Sequence, residues 1–88
     1  MGNPIEDLAG AAVQIASRGA AAYLAQHDLS ADLDTLTAAV KEKVKEAFPM
    51  LWGETKEAMS CGMTQVAEAN FAAGMFLAGT QAAQAVTR

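Results

Sequence analysis

The sequence predicts an all-α fold, a small alanine-rich bundle of about three helices with a long C-terminal helix. Residues that favour helices, such as Ala, Leu, Met, Glu, Gln and Lys, make up most of the chain, which contains only two prolines. No alternating polar and apolar pattern typical of a strand continues for more than a few residues. The 88 residues are enough for one domain, residues 1–88, and too few for two. A monomer of this size would have a thin core, so we expect oligomerisation to complete the bundle.

The first helix is predicted over residues 4–26. Asn3 is a favourable N-cap, and Pro4 suits the first helical position. Many residues of this helix are Ala or Gly, so a neighbouring helix backbone can approach it closely. Its apolar positions recur at spacings of three and four: Ile5, Leu8, Ala12, Ile15, Gly19 and Tyr23.

The second helix is predicted over residues 31–48. Ser30 can cap it, and Asp32 and Asp34 lie near its positive N-terminal end, where acidic side chains are favourable. Pro49 is expected to end or bend this helix, because proline lacks the N–H and disfavours helix at the preceding residue. The expected buried edge is Leu33, Leu36, Val40, Val44, Ala47 and Phe48.

The third helix is predicted over residues 50–87, with continuity through Gly62 left open. Asn70 lies on its expected inward stripe. There it either fixes the helix register, as single buried amides do in coiled coils, or is partly exposed without such a role. The expected inward stripe consists of Met59, Met63, Val66, Ala67, Asn70, Ala73, Gly74, Leu77 and Gln81.

Residues 71–79, FAAGMFLAG, contain no charge, amide or hydroxyl group. A helix that is apolar all round is usually buried all round, and one short chain has little else to cover it. The predicted cover is a second copy of the protein, in a homodimer or higher oligomer. A different protein partner and an unusual monomer topology that wraps the helix are the alternatives. The predicted interface consists of Trp52, Phe71, Gly74, Met75, Phe76, Ala78 and Gly79.

Charge and composition favour a protein of the cytoplasm. Ten acidic and six basic residues give a net charge of −4, which offers no electrostatic attraction to nucleic acid or to an anionic membrane. The single cysteine, Cys61, excludes an internal disulfide. The N-terminal residues are acidic, so no secretory signal is predicted, and the longest apolar run is too short to span a membrane.

Two motifs overlap the start of the second helix, and each lacks a residue that its function requires. Residues 28–39 place acidic and hydroxyl side chains as in a calcium-binding loop, but Leu33 replaces the required Gly and Ala39 replaces the required Glu. Residues 29–36, LSADLDTL, resemble acyl carrier proteins. That family carries phosphopantetheine on a serine between this aspartate and leucine, whereas Asp32 is followed directly by Leu33 here.

No arrangement of side chains predicts catalysis. Met59 and Met63 share a face, but Cys61 lies nearly opposite, and His27 is distant in sequence, so no metal site is predicted. We therefore predict that the protein is not an enzyme and needs no cofactor. The expected function is non-catalytic, through self-association and protein–protein interaction in a structural, adaptor or regulatory role. The alternative is a carrier of a small apolar ligand held between helices.

Overall fold

The computed structural model describes residues 10–87, which form three α-helices. They are α1 (Ala12–Gln26), α2 (Leu33–Ser60) and α3 (Thr64–Val86). This confirms the prediction of an all-α bundle, and residues 10–87 contain no strand. The predicted start of the first helix at residue 4, with its cap at Asn3, lies outside the described residues.

The helix α3 packs extensively against both other helices, which contact each other less. Near the α2–α3 connection Ala58 and Ala67 border the same small cavity, whereas Ala47 and Ala78 meet farther away from it. The two helices are therefore antiparallel. The largest fully buried side chains, Phe71 and Met75, belong to α3. The core is otherwise built from small and β-branched residues: Ala12, Ala16, Ala20, Val40, Val44, Ala82 and Ala83.

The helix α2 continues through Pro49, so the predicted end of the second helix at residue 48 is wrong. Proline removes the N–H that would bond to the carbonyl of Lys45. Both residues are exposed, so water can bond to that carbonyl instead. Phe48 and Trp52, one on each side of the proline, pack against Phe71, and these contacts hold the two halves of the helix in line.

The break between the second and third helices occurs at residues 61–63, so the predicted start of the third helix at residue 50 is wrong and the chain is not continuous helix through Gly62. Gly62 has φ +80°, a conformation that glycine adopts without steric cost. Its N–H donates to the carbonyl of Met59 at 3.0 Å, and the N–H of Met63 donates to that of Ala58 at 2.9 Å. This is a Schellman motif, and it assigns residues 50–60 to α2.

The N-cap of α2 is Asp32 and not the predicted Ser30. The carboxylate of Asp32 accepts hydrogen bonds from the backbone N–H and the hydroxyl of Thr35, both at 3.0 Å. These bonds favour the charged form and hold the pKa of the Asp32 carboxyl below its ordinary value. The cap satisfies one of the free N–H groups at the helix start.

The end of α1 at Gln26 agrees with the prediction and also forms a Schellman motif. The N–H of Leu29 donates to the carbonyl of Leu24 at 2.8 Å. Asp28 holds the left-handed position with φ 52°, which in a non-glycine residue costs free energy. The two helix ends therefore use the same motif with different residues at the same strained position.

Substitutions at these two positions should change stability in opposite directions. We expect Gly62→Ala to lower the free energy of unfolding by about 1 kcal/mol, because alanine is disfavoured at positive φ. Asp28→Gly should raise it by about 0.5 kcal/mol, since glycine relieves that cost but gains freedom in the unfolded chain. Urea unfolding followed by circular dichroism measures both values. Equal shifts of the same sign would contradict the assignment of these helix ends.

Candidate interaction surface

An aromatic cluster joins α2 and α3 in the core. The ring of Phe71 is fully buried and meets Phe48 and Trp52 edge-on, with ring centroids 6.0 and 5.8 Å away. Phe48 and Trp52 stack on each other at 5.6 Å. Trp52 is half-buried in this cluster. Trp52, one of the predicted interface residues, thus packs within the bundle against Phe48 and Phe71.

The helices α1 and α3 touch through their backbones. Gly19 of α1 lies against the carbonyl of Phe76, and Gly79 of α3 lies against the carbonyl of Ala16. A methyl group on either glycine would overlap those carbonyl atoms. This confirms that the small residues of the first helix admit a close neighbour. The neighbour is α3 of the same chain.

Several of the predicted interface residues belong to the core of the chain itself. Phe71 and Met75 have no exposed surface, Ala78 is 4% exposed, and Gly79 is buried under α1. Their assignment to a contact with a second copy is wrong, because α1 and α2 already cover them. Gly74 is half-buried against Leu51.

The wrong assignment of these interface residues has a physical cause, namely the helix break at residues 61–63. The predicted inward stripe carried one helical phase from Met59 across residues 61–63 and into the residues beyond them. Residues 61–63 are not helical and interrupt that phase. Within α3, Gln65 and Glu68 are exposed at its start, and the same side becomes apolar at Phe71. From Phe71 onward this side is covered by the other two helices, by α2 at Phe71 and by α1 at Gly79.

The side of α3 that faces solvent carries large apolar side chains. Met63 is 50% exposed, Val66 45%, Leu77 55% and Phe76 43%, and Met50 of α2 is 65% exposed. The predicted inward stripe is therefore largely wrong, since only Ala67 of that stripe is fully buried, with Met59 and Gly74 half-buried. We call this surface the outer face of α3 and define it by Met63, Val66, Asn70, Ala73, Phe76, Leu77, Thr80 and Gln84.

The outer face of α3 has no charged residue. Between residues 62 and 87 the only charged side chain is Glu68, which is not part of this face. The charges lie mainly on α2, where Lys43 and Glu46 form an exposed ion pair at 3.7 Å. A protein with net charge −4 thus has one long neutral side on which two copies can meet without strong repulsion.

A groove between α2 and α3 extends the outer face. It has a volume of about 210 Å³ and a mostly apolar lining of Ala47, Met50, Leu51, Gly74, Leu77, Ala78 and Gln81. A second cavity beside Phe71 measures only about 20 Å³, which is room for one water molecule. Thr55 borders this small cavity, and its buried hydroxyl donates to the carbonyl of Leu51 at 2.7 Å.

The residues considered for metal binding lie apart. Among residues 10–87 no group of three or more His, Cys, Asp and Glu side chains is placed to hold a metal ion. Cys61 is exposed at the α2–α3 connection, and the ring of His27 lies 4.3 Å from that of Tyr23 at the end of α1. None of the helices in this part of the chain has the length and apolar character needed to cross a membrane.

Comparisons with protein-family models, with curated proteins and with solved structures gave no match for this chain. Its class is therefore defined by its own structure. Residues 10–87 form an alanine-rich three-helix bundle in which one helix packs closely on both neighbours and leaves an uncharged, partly apolar face in solvent.

Proposed function

We propose that the protein is a non-catalytic helical module that acts through self-association. The outer face of α3 is the contact surface in this proposal. One observation supports it above the others, namely four large apolar side chains exposed by between 43% and 55% along a helix side without charge. Isolated exposed apolar residues are common on protein surfaces, but four large ones on one side of a single helix favour an interaction site.

The size of the strip favours a weak dimer. The 23 residues of α3 span roughly 34 Å, and a contact roughly 15 Å wide would bury roughly 500 Å² on each copy. The total of roughly 1,000 Å² lies at the lower limit for specific interfaces. We therefore expect a dimer with a Kd on the order of micromolar, sensitive to the concentration of the protein.

A second copy fits the face better than the other occupants considered. The carrier function requires an enclosed space, whereas the cavity beside Phe71 holds about 20 Å³. The apolar grooves between α2 and α3, about 210 Å³, and between α1 and α2, about 190 Å³, are both open to solvent. A different protein would be expected to recognise this −4 protein partly through basic residues that pair with its acidic ones. The outer face carries no acidic residue for such pairs.

Light scattering behind size exclusion tests the proposal. Over about a hundredfold range of concentration we expect the wild-type mass to rise from one chain towards two. Leu77→Glu should remain a monomer throughout, because it places a carboxylate in the centre of the apolar contact. The matched control is Leu33→Glu. Leu33 is 74% exposed at the start of α2 and is not part of the outer face, so this variant should behave as the wild type.

Two outcomes would contradict self-association through this face. One is a wild-type mass of a single chain at every concentration. The other is an equal loss of dimer in both variants while circular dichroism shows both folded, since the effect would then not depend on the outer face.

A further inference from the structure

The two most exposed large apolar side chains around α3 border the groove between α2 and α3. Met50 borders this groove from α2 and is 65% exposed, and Leu77 borders it from α3 and is 55% exposed. On the other side of α3, where its backbone touches Gly19 of α1, Phe76 is 43% exposed. The apolar area that a partner could remove from water is therefore largest at the α2–α3 groove.

The same patch contains both protruding side chains and a hollow. Small residues, namely Ala47 of α2 with Gly74 and Ala78 of α3, line the groove between Met50 and Leu77. The hollow has a volume of about 210 Å³ and is open to solvent. An interface with twofold symmetry uses one patch on both copies, so a patch of this shape can pack against itself.

The charges near Met50 lie at the edge of this patch. One helical turn before Met50, Glu46 forms an ion pair with Lys43 at 3.7 Å, and Glu54 lies one turn after it. The α3 side of the groove has no charged residue. An apolar centre with a polar edge is the usual arrangement of an interface between proteins.

The area required by a stable dimer favours a contact that extends across the groove. The outer face of α3 alone gives a total of roughly 1,000 Å², at the lower limit for specific interfaces. The groove borders α3 from Gly74 to Gln81, roughly 10 Å along the helix, and the axes of packed helices lie roughly 10 Å apart. Covering it adds roughly 100 Å² on each copy, and the total then reaches the roughly 1,200 Å² at which stable interfaces begin.

We infer that two copies of the protein meet across the α2–α3 groove, with Met50 and Leu77 of each copy packed against the groove of the other. This inference rests on the self-association proposed above and extends the contact from α3 onto α2. Methionine is unbranched and flexible, so its side chain fits an irregular hollow. Met50→Ala should weaken the dimer by about tenfold in Kd, because the removed side chain is exposed in one chain and buried in the dimer.

The methyl groups of the methionines allow a direct measurement by nuclear magnetic resonance. With these methyl groups labelled with ¹³C, the Met50 signal should shift as the protein is concentrated from monomer to dimer. The signal of Met75 is the internal control, because Met75 is fully buried in one chain and should not shift. In a mixture of labelled and unlabelled protein, nuclear Overhauser effects between copies should connect the Met50 methyl group to Ala47, Leu77 or Ala78.

These measurements separate the inference from the proposal on which it rests. Shifts and contacts of Met50 as described, with a weaker dimer in a folded Met50→Ala variant, would support a contact across the groove. A dimer in light scattering in which Met63 of the outer face shifts and Met50 does not would overturn the inference and leave self-association through α3 standing. An unchanged Kd in Met50→Ala would overturn it in the same way. A wild-type monomer at every concentration would overturn self-association itself.

Discussion

Gly79→Ala should unfold the bundle or lower its free energy of unfolding by about 3 kcal/mol or more. The added methyl group would overlap the backbone carbonyl of Ala16 on α1. A side chain could move aside, but a helix backbone can do so only if the whole helix shifts. Such a shift would open the contact between α1 and α3, where the small residues leave little apolar area to lose. Gly19→Ala places a methyl group against the carbonyl of Phe76 and should have a similar effect.

Gly53→Ala is the matched control for these two variants. Gly53 is exposed inside α2, and a methyl group there would meet nothing within 4 Å. Alanine favours helix over glycine, so this variant should raise the free energy of unfolding by about 0.5–1 kcal/mol. Urea unfolding of all three variants measures the contrast. A Gly79→Ala variant as stable as Gly53→Ala would contradict backbone contact between α1 and α3.

Local signals in the sequence predicted part of this fold. Helix-favouring composition and apolar spacing predicted an all-α bundle, and the end of α1 at Gln26 follows the loss of that spacing. The alanines and glycines of the first helix also indicated a close helix contact. These features depend on residues near each other in sequence, so they can be evaluated without the three-dimensional structure.

The boundary between α2 and α3 was predicted near Pro49 but lies at residues 61–63. Its position depends on contacts between residues that are far apart in sequence. Pro49 is usually a strong signal for a helix end, yet aromatic contacts with Phe71 keep α2 continuous there. Gly62 carries the actual signal, a residue suited to positive φ just after a helix. Choosing between the two requires the packing energy of residues that lie in different helices.

The apolar run 71–79 combines two surfaces that a helical wheel cannot rank. Phe71, Met75 and Gly79 face α1 and α2, whereas Phe76 and Leu77 face solvent. A wheel shows that both stripes are apolar but not which of them the chain covers. The alternative in which a single chain covers its own helix agrees with the burial of Phe71, Met75 and Gly79. The proposal of a second copy now applies to the other stripe, on the opposite side of the same helix.

Phe71→Ala should lower the free energy of unfolding by about 3–5 kcal/mol, the range for truncating a fully buried phenylalanine. The substitution removes the ring that Phe48 and Trp52 meet edge-on and leaves a cavity where α2 passes Pro49. Since small domains have a total stability of about 5–15 kcal/mol, this loss removes a large part of it. The urea midpoint at several protein concentrations measures the loss.

Phe76→Ala is its counterpart on the same helix. Phe76 is 43% exposed, so its truncation should cost only about 1 kcal/mol in a monomer. Unfolding measured at decreasing protein concentration distinguishes a residue of the core from a residue at an interface between copies. A residue of the core of one chain loses the same stability at every concentration, whereas a residue between chains matters only where dimers form. If the effect of Phe71→Ala disappeared on dilution, Phe71 would belong to an interface between copies, contrary to its burial by α2 and α1.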